Sequence, residues 1–107
     1  MPQHVVVAKA TPKAGAAAQL RSVLENGATA SWEEPGVIAY AVHDVKDEPG
    51  SLLLVEVYAS EDAFQAHLET DHVKHVLSVL PDLLEGELLV LQGTPAGFAE
   101  NSKAQLC

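Results

Sequence analysis

His67 stands beside Phe64 and Leu68 on the apolar face of a helix predicted over Glu61–Leu68. A neutral imidazole in that position can take a proton from an acidic phenol near pH 7. The same residue can also be a core histidine satisfied by Glu56 or by backbone. His72, at the start of the next helical piece, offers a second polar contact or a second base. Glu56 sits among apolar residues in the run Leu52-Leu-Leu-Val-Glu-Val-Tyr58 and faces inward by strand alternation. A carboxylate so placed needs a partner. It orients a histidine or binds substrate, or it caps backbone groups or pairs across a subunit interface. Tyr40 and Tyr58 fall on one side of neighbouring strands, where phenols can hold a quinone oxygen or fill core with their hydroxyls at the rim. Trp32, at the end of the first helix, reads as a lid or a plug. With Phe64 these rings make candidate aromatic walls for a small-molecule pocket.

Other chemistries lack their residues. His72 and His75 are three apart beside Asp71, a spacing able to hold a metal, but no third ligand or His-Glu-x-x-His context accompanies them. No metal site is therefore expected. Glycine-rich phosphate loops are absent. Ser60, Ser78 and Cys107 have no nucleophile motif around them. The expectation is a cofactor-free site.

The elements that must position these side chains can be read in order. His4–Ala10 is β-branched and short, as a strand should be. Thr11-Pro12 reads as a helix cap and first helical position, opening a helix from Lys13 to about Glu33. Ala17, Leu20, Leu24, Ala28 and Ser31 share its inner face. Glu34-Pro35-Gly36 ends it: Pro35 disfavours helix before it and Gly36 permits a left-handed turn. Val37–Val45 and Leu52–Ala59 are strands joined by a polar Pro-Gly turn, Ile38, Tyr40 and Val42 sharing one face of the first. Ser60 caps the helix that carries His67, and Thr70-Asp71 caps a further piece striped by Val73, Val76, Leu77 and Leu80. Pro81 kinks that piece or ends it early, and Gly86 stops it. Glu87–Gly93 is the last strand, and residues 94–107 read as a tail.

This order, strand–helix–strand–strand–helix–strand, is the ferredoxin-like βαββαβ pattern: an α+β fold with a four-stranded antiparallel sheet and helices on one face. Residues 1–93 form the domain. The strands carry apolar residues on both sides, as in Leu53-Val55-Val57 and Val37-Ala39-Ala41. Helices cover only one side, so the other is expected to pack on a second copy, giving a homodimer.

Composition narrows the function further. The 107 residues carry a formal net charge of -9 with only six Lys plus Arg. Such a surface repels phosphate backbones and anionic membranes, so neither nucleic acid nor membrane is an expected partner. The lone cysteine, Cys107, allows no internal disulfide, which fits a reducing compartment. No apolar run approaches the ~20 residues that span a bilayer, and no signal peptide is seen. A soluble cytoplasmic protein is expected.

The quoted residues also resemble a known family. Glu34-Pro35-Gly36 with Tyr40, then Glu56 and Tyr58, then Ala63, Phe64, His67, Thr70 and His72 resemble the pattern of the antibiotic biosynthesis monooxygenase family, including its small quinol-monooxygenase-like members. The resemblance runs from His4 to about Gly93. It implies a dimeric α+β barrel and, among its members, cofactor-independent oxygenation of phenolic or quinol polyketides. Other members isomerise sugars or degrade haem. The haem-degrading branch uses a Trp where this chain has His67 and a haem-ligating His about where Leu77 stands. Polyketide-type members often place a Trp at Tyr58 and a polar residue at Leu54. The implied activity is base-assisted monooxygenation of a phenolic or quinol aromatic, with O₂ as co-substrate. In this reading His67 and His72 are catalytic, and Trp32, Tyr40, Glu56, Tyr58 and Phe64 bind substrate. The alternatives are an isomerase, cyclase or decarboxylase on the same fold, or a non-catalytic small-molecule-binding or stress-response dimer. An open pocket of about 300 Å³ or more, lined by His67 and Tyr58, would favour an enzyme.

Overall fold

Strict alternation of burial along β1 (His4–Ala10) sets the sheet's two faces. His4, Val6, Ala8 and Ala10 are buried, while Val5, Val7 and Lys9 are half-exposed. The computed structural model describes residues 2–96. In it β1 is followed by α1 (Ala17–Ser31), β2 (Val37–Asp44), β3 (Leu52–Tyr58), α2 (Glu61–Leu68), α3 (Asp71–Leu83) and β4 (Leu89–Gly93). The strands pair antiparallel in the order β2-β3-β1-β4. This is the ferredoxin-like α+β fold expected from the sequence, with its second helical region split in two at the Thr70 cap.

The helices pack on one face of the sheet. Leu20 and Leu24 of α1 meet Ala8, Leu52 and Leu54 of the sheet and Leu80 and Leu83 of α3. Leu20 and Leu52 are fully buried, so truncating either to alanine costs about 2–5 kcal/mol. A second cluster joins Val6, Tyr58 and Phe64, with Ala63 and Leu68 against it. No described helix is long and apolar enough to cross a membrane.

Five local expectations are corrected. Thr11-Pro12 does not start α1. Pro12 forms an isolated bridge with Leu84, Lys13 N–H donates to Leu83 O at 2.8 Å, and Glu85 N–H donates to Thr11 O at 2.8 Å. These bonds clamp the segment to the end of α3, and the helix begins only at Ala17. Gly36 is not in a left-handed conformation; a Cβ there would lie 2.6 Å from Ala63 Cβ, so glycine is needed for close approach to α2. Strand β2 is irregular between Val37 and Ala39, and Val37 takes the place beside Tyr58 that simple alternation gives to Ile38. Ile38 is 40% exposed. Pro81 neither breaks nor shortens α3 at its own position: the helix runs two residues further, to Leu83, and Leu84 N–H still bonds Leu80 O at 3.0 Å. β4 begins at Leu89 rather than Glu87. The tail expected over residues 94–107 lies outside the described residues beyond 96.

Candidate active site

Two capped helix starts place the histidines. Ser60 Oγ accepts from Ala63 N–H, setting α2 so that Phe64 and His67 are buried against the sheet. Thr70 Oγ1 accepts from Val73 N–H to cap α3 and donates to His67 O at 2.7 Å. One threonine thus fixes the end of α2, the start of α3 and the spacing between His67 and His72.

The partner of both histidines is Glu34, in the turn after α1. Its backbone is held by Glu34 N–H to Ser31 O at 3.0 Å and Val37 N–H to Glu34 O at 3.1 Å. Its Oε2 lies 2.9 Å from His67 Nδ1 and 2.8 Å from His72 Nε2. Side-chain exposure rises along the line, from 4% at His67 through 14% at Glu34 to 28% at His72. With the carboxylate accepting, His67 carries its proton on Nδ1, and Nε2 is left as the ring's basic nitrogen. Burial holds the His67 pKa below its ordinary value, opposed by the Glu34 hydrogen bond and charge and reinforced by His72. The imidazole is therefore neutral at physiological pH.

The rings of Tyr58, Tyr40 and Phe64 surround His67, with centroids 5.1, 5.7 and 6.2 Å away. Beneath lies Glu56, which accepts a hydrogen bond from the fully buried Tyr58 hydroxyl. Glu56 is therefore not the histidine partner that the sequence left open. Burial, against the Tyr58 hydrogen bond and with help from Glu34, pushes the Glu56 carboxyl up to about 7. Both tyrosine hydroxyls are raised well above their ordinary value, by burial first and then by Glu56, and so stay protonated as donors.

A cavity of about 140 Å³ opens at this point, lined by Tyr40, Glu56, Phe64 and His67 and closed by Leu24, Leu54 and Leu80. Tyr58 is not in its wall but behind Glu56 and Phe64. Trp32 is not in the wall either. It is 61% exposed and its Nε1–H donates to Tyr40 O at 2.8 Å, bracing β2 from outside. His72 opens instead on a separate hollow of about 180 Å³ between α1 and α3, with Asn26 and His75.

Glu34 is the residue that sequence reasoning missed. Its signal was present as the first member of Glu34-Pro35-Gly36, but a turn explains that triplet without a site. Glu34, His67 and His72 also place three potential ligand atoms within 4.8 Å of one another, the one such group among the described residues, and His75 is not part of it. The oxygen–nitrogen separations are those of charge-assisted hydrogen bonds and shorter than the roughly 3.3 Å edge of a tetrahedral zinc site. A hydrogen-bonded triad fits them better than a preformed metal centre.

Comparison with known proteins bears on the family and the fold. Residues 3–78 match the family model for antibiotic biosynthesis monooxygenases. No curated protein matches significantly. Among solved structures, protein Rv0793 of Mycobacterium tuberculosis is 27% identical with a TM-score of 0.85, the alignment covering 91% of this chain and 98% of that one. Protein SO0527 of Shewanella oneidensis is 29% identical with a TM-score of 0.82, over 87% and 90% of the two chains. A candidate antibiotic biosynthesis monooxygenase from Caulobacter crescentus is 26% identical with a TM-score of 0.82, over 89% and 91%. These alignments extend the likeness beyond the residues matched by the family model. The chain belongs to the antibiotic biosynthesis monooxygenase family.

Proposed function

We propose that the chain is a cofactor-independent monooxygenase acting on a phenolic or quinol ring, with His67 as general base. The observation that carries this reading is a buried imidazole in a cavity wall, its Nδ1 held by Glu34 and its Nε2 left basic. In the reaction, Nε2 takes the phenol proton, and the Glu34 carboxylate stabilises the imidazolium that forms. The electron-rich ring carbon forms a bond to O₂. The resulting peroxide oxygen takes the proton back from His67. Loss of water across the C–H and O–O bonds leaves a carbonyl, so one oxygen atom enters the product and the other leaves as water. Tyr40 and protonated Glu56 are the groups placed to hydrogen-bond the ring oxygen as charge develops on it. His72 acts through Glu34 rather than on substrate.

We further propose a homodimer formed across the sheet face that carries no helix. Val5, Val7, Leu53 and Val55 are only half-covered there, and Leu89 and Leu91 are 57% and 64% exposed. Dimers are common in this family, and sheet-on-sheet packing would bury that surface. Light scattering on the purified protein tests it; a monomer at micromolar concentration would reject it.

The size of the cavity favours one second reading. About 140 Å³ is below the ~300 Å³ usual for ligand pockets, which supports a non-catalytic binder of small aromatics. Incubation with hydroquinone or anthrone, with and without oxygen, separates the readings. Oxygen consumption lost in His67→Ala supports the oxygenase. Turnover without oxygen points to an isomerase or lyase, and no turnover at all to the binder.

A further inference from the structure

The cavity's polar and apolar groups are segregated across the sheet. One row of paired residues in its floor runs Tyr40, Glu56, Val6, and the next runs Leu54, Ala8, Val90. The polar members therefore lie on β2 and β3, under His67. Toward β4 the floor is wholly apolar. On that side Leu77, Leu80 and Leu88 line both the cavity and an adjoining surface groove of about 360 Å³ that continues along Pro81 and Leu84. Leu77, in the wall of both spaces, is 49% exposed, and Val90, in the cavity wall alone, is 42% exposed. Among the described residues neither space is lined by a Lys or an Arg; the ionisable groups are Tyr40, Glu56, His67 and Glu87.

From this arrangement, and resting on the reading above, we infer that the substrate is an uncharged single-ring hydroquinone or phenol bearing an aliphatic chain, with the ring under His67 and the chain in the groove beside α3. The chamber's volume matches one ring: a cavity of about 150 Å³ accommodates benzene. Fused polycyclic rings exceed it. A permanently anionic head would be desolvated among apolar walls with no Lys or Arg of the described residues to balance it. The chain follows from continuity, because the same leucines form the wall of both spaces. A chain in the groove also covers surface that water otherwise wets against Leu77.

Calorimetric titration of the full chain under argon tests this without requiring turnover. The probes are hydroquinone, its butyl, hexyl and octyl derivatives, and anthrone. Each methylene that enters the groove is expected to tighten binding about fourfold, so butylhydroquinone should bind at least tenfold more tightly than hydroquinone, with anthrone showing no saturable binding. Leu77→Glu, at a half-exposed position, should flatten the dependence on chain length while circular dichroism shows the fold intact. Hydroquinone binding with no dependence on chain length overturns the inference; the assignment of the base then stands. A dependence that persists in Leu77→Glu also overturns it, as does anthrone binding as tightly as butylhydroquinone. If no hydroquinone binds at all, the phenolic oxygenase reading fails too.

Discussion

Glu34 and His67, 33 residues apart in sequence, meet at 2.9 Å between Oε2 and Nδ1. The contact joins the turn after α1 to the helix that follows β3, and it gives the buried imidazole a defined tautomer. A carboxylate in this place supports a base in two ways. It keeps Nε2 free to accept, and it raises the basicity that burial lowers.

Glu34→Gln should therefore lower kcat by about 10²-fold or more, within the range general-base catalysis contributes, with a smaller change in KM. The pH profile separates this from simple structural damage. Activity needs neutral His67 and falls as pH drops through its pKa. Glu34 holds that pKa up, so without the charge the acidic limb of kcat/KM should move to lower pH. An unmoved limb would mean that Glu34 does not act through His67.

The two histidines should separate on mutation. His67 lines the cavity, whereas His72 touches the same carboxylate oxygen from the other side, 2.8 Å away, and faces a different hollow. His67→Ala should abolish measurable turnover. His72→Ala should reduce kcat only several-fold and leave KM unchanged, because Glu34 keeps its bond to His67. Equal losses in the two variants would place His72 in direct contact with substrate.

How far the sequence reached depends on the range of the interaction. Element types and order were legible because alternation in β1 and the helical stripe of Leu20 and Leu24 are local patterns imposed by one buried face. The Ser60 and Thr70 caps were legible for the same reason. The start of α1 was not. Thr11-Pro12 has cap chemistry, but its backbone is taken by residues 83–85 at the far end of α3, a competition no window around it contains. Glu34 was visible as a turn residue and as part of the family pattern, but not as a site residue, because the histidines that give it a role lie 33 and 38 positions away. Trp32 was expected near the pocket for its ring, yet its indole N–H is used on the Tyr40 carbonyl and the ring stays outside. The irregularity between Val37 and Ala39 shifts a face by one residue, and only the pairing with Tyr58 reveals it.

Glu56 should make stability depend on pH in an unusual direction. Its carboxyl titrates near 4.5 when exposed and at about 7 in the fold. Between those values the folded state holds a proton that the unfolded state has lost, so the contribution to stability is full below pH ~4.5 and is lost as pH rises through 7. The span corresponds to a loss on the order of 3 kcal/mol. Glu56→Gln keeps an acceptor for the Tyr58 hydroxyl but cannot ionise. The difference in urea-unfolding free energy between the variant and the parent, measured from pH 5 to 8.5, should move in the variant's favour as pH rises. Using the difference cancels His67, which titrates with the opposite sign. A difference constant with pH would show that Glu56 is ionised throughout.

Gly36→Ala tests whether the turn positions the base or merely ends a helix. If Gly36 served only as a turn, alanine would be harmless there, since its backbone is not left-handed, and removing glycine would stiffen the unfolded chain and stabilise slightly. The structure gives a different answer: the new methyl would lie 2.6 Å from Ala63 Cβ and 3.5 Å from Ala63 Cα. Neither neighbour is a flexible side-chain end, so α2 must move away from β2. Overpacking of this kind costs about 1–3 kcal/mol, which lowers Tm by several degrees or more in a domain of this size. Ala63 is one turn from His67 on the same helix, so the displacement reaches the imidazole and stretches its bond to Glu34. Gly36→Ala should therefore lose kcat as well as Tm. Adding Ala63→Gly, which removes the methyl on the other side, should recover part of both. A rise in Tm in the single variant, or activity unchanged at full folding, would show that the approach of α2 to the turn does not set the geometry of the base.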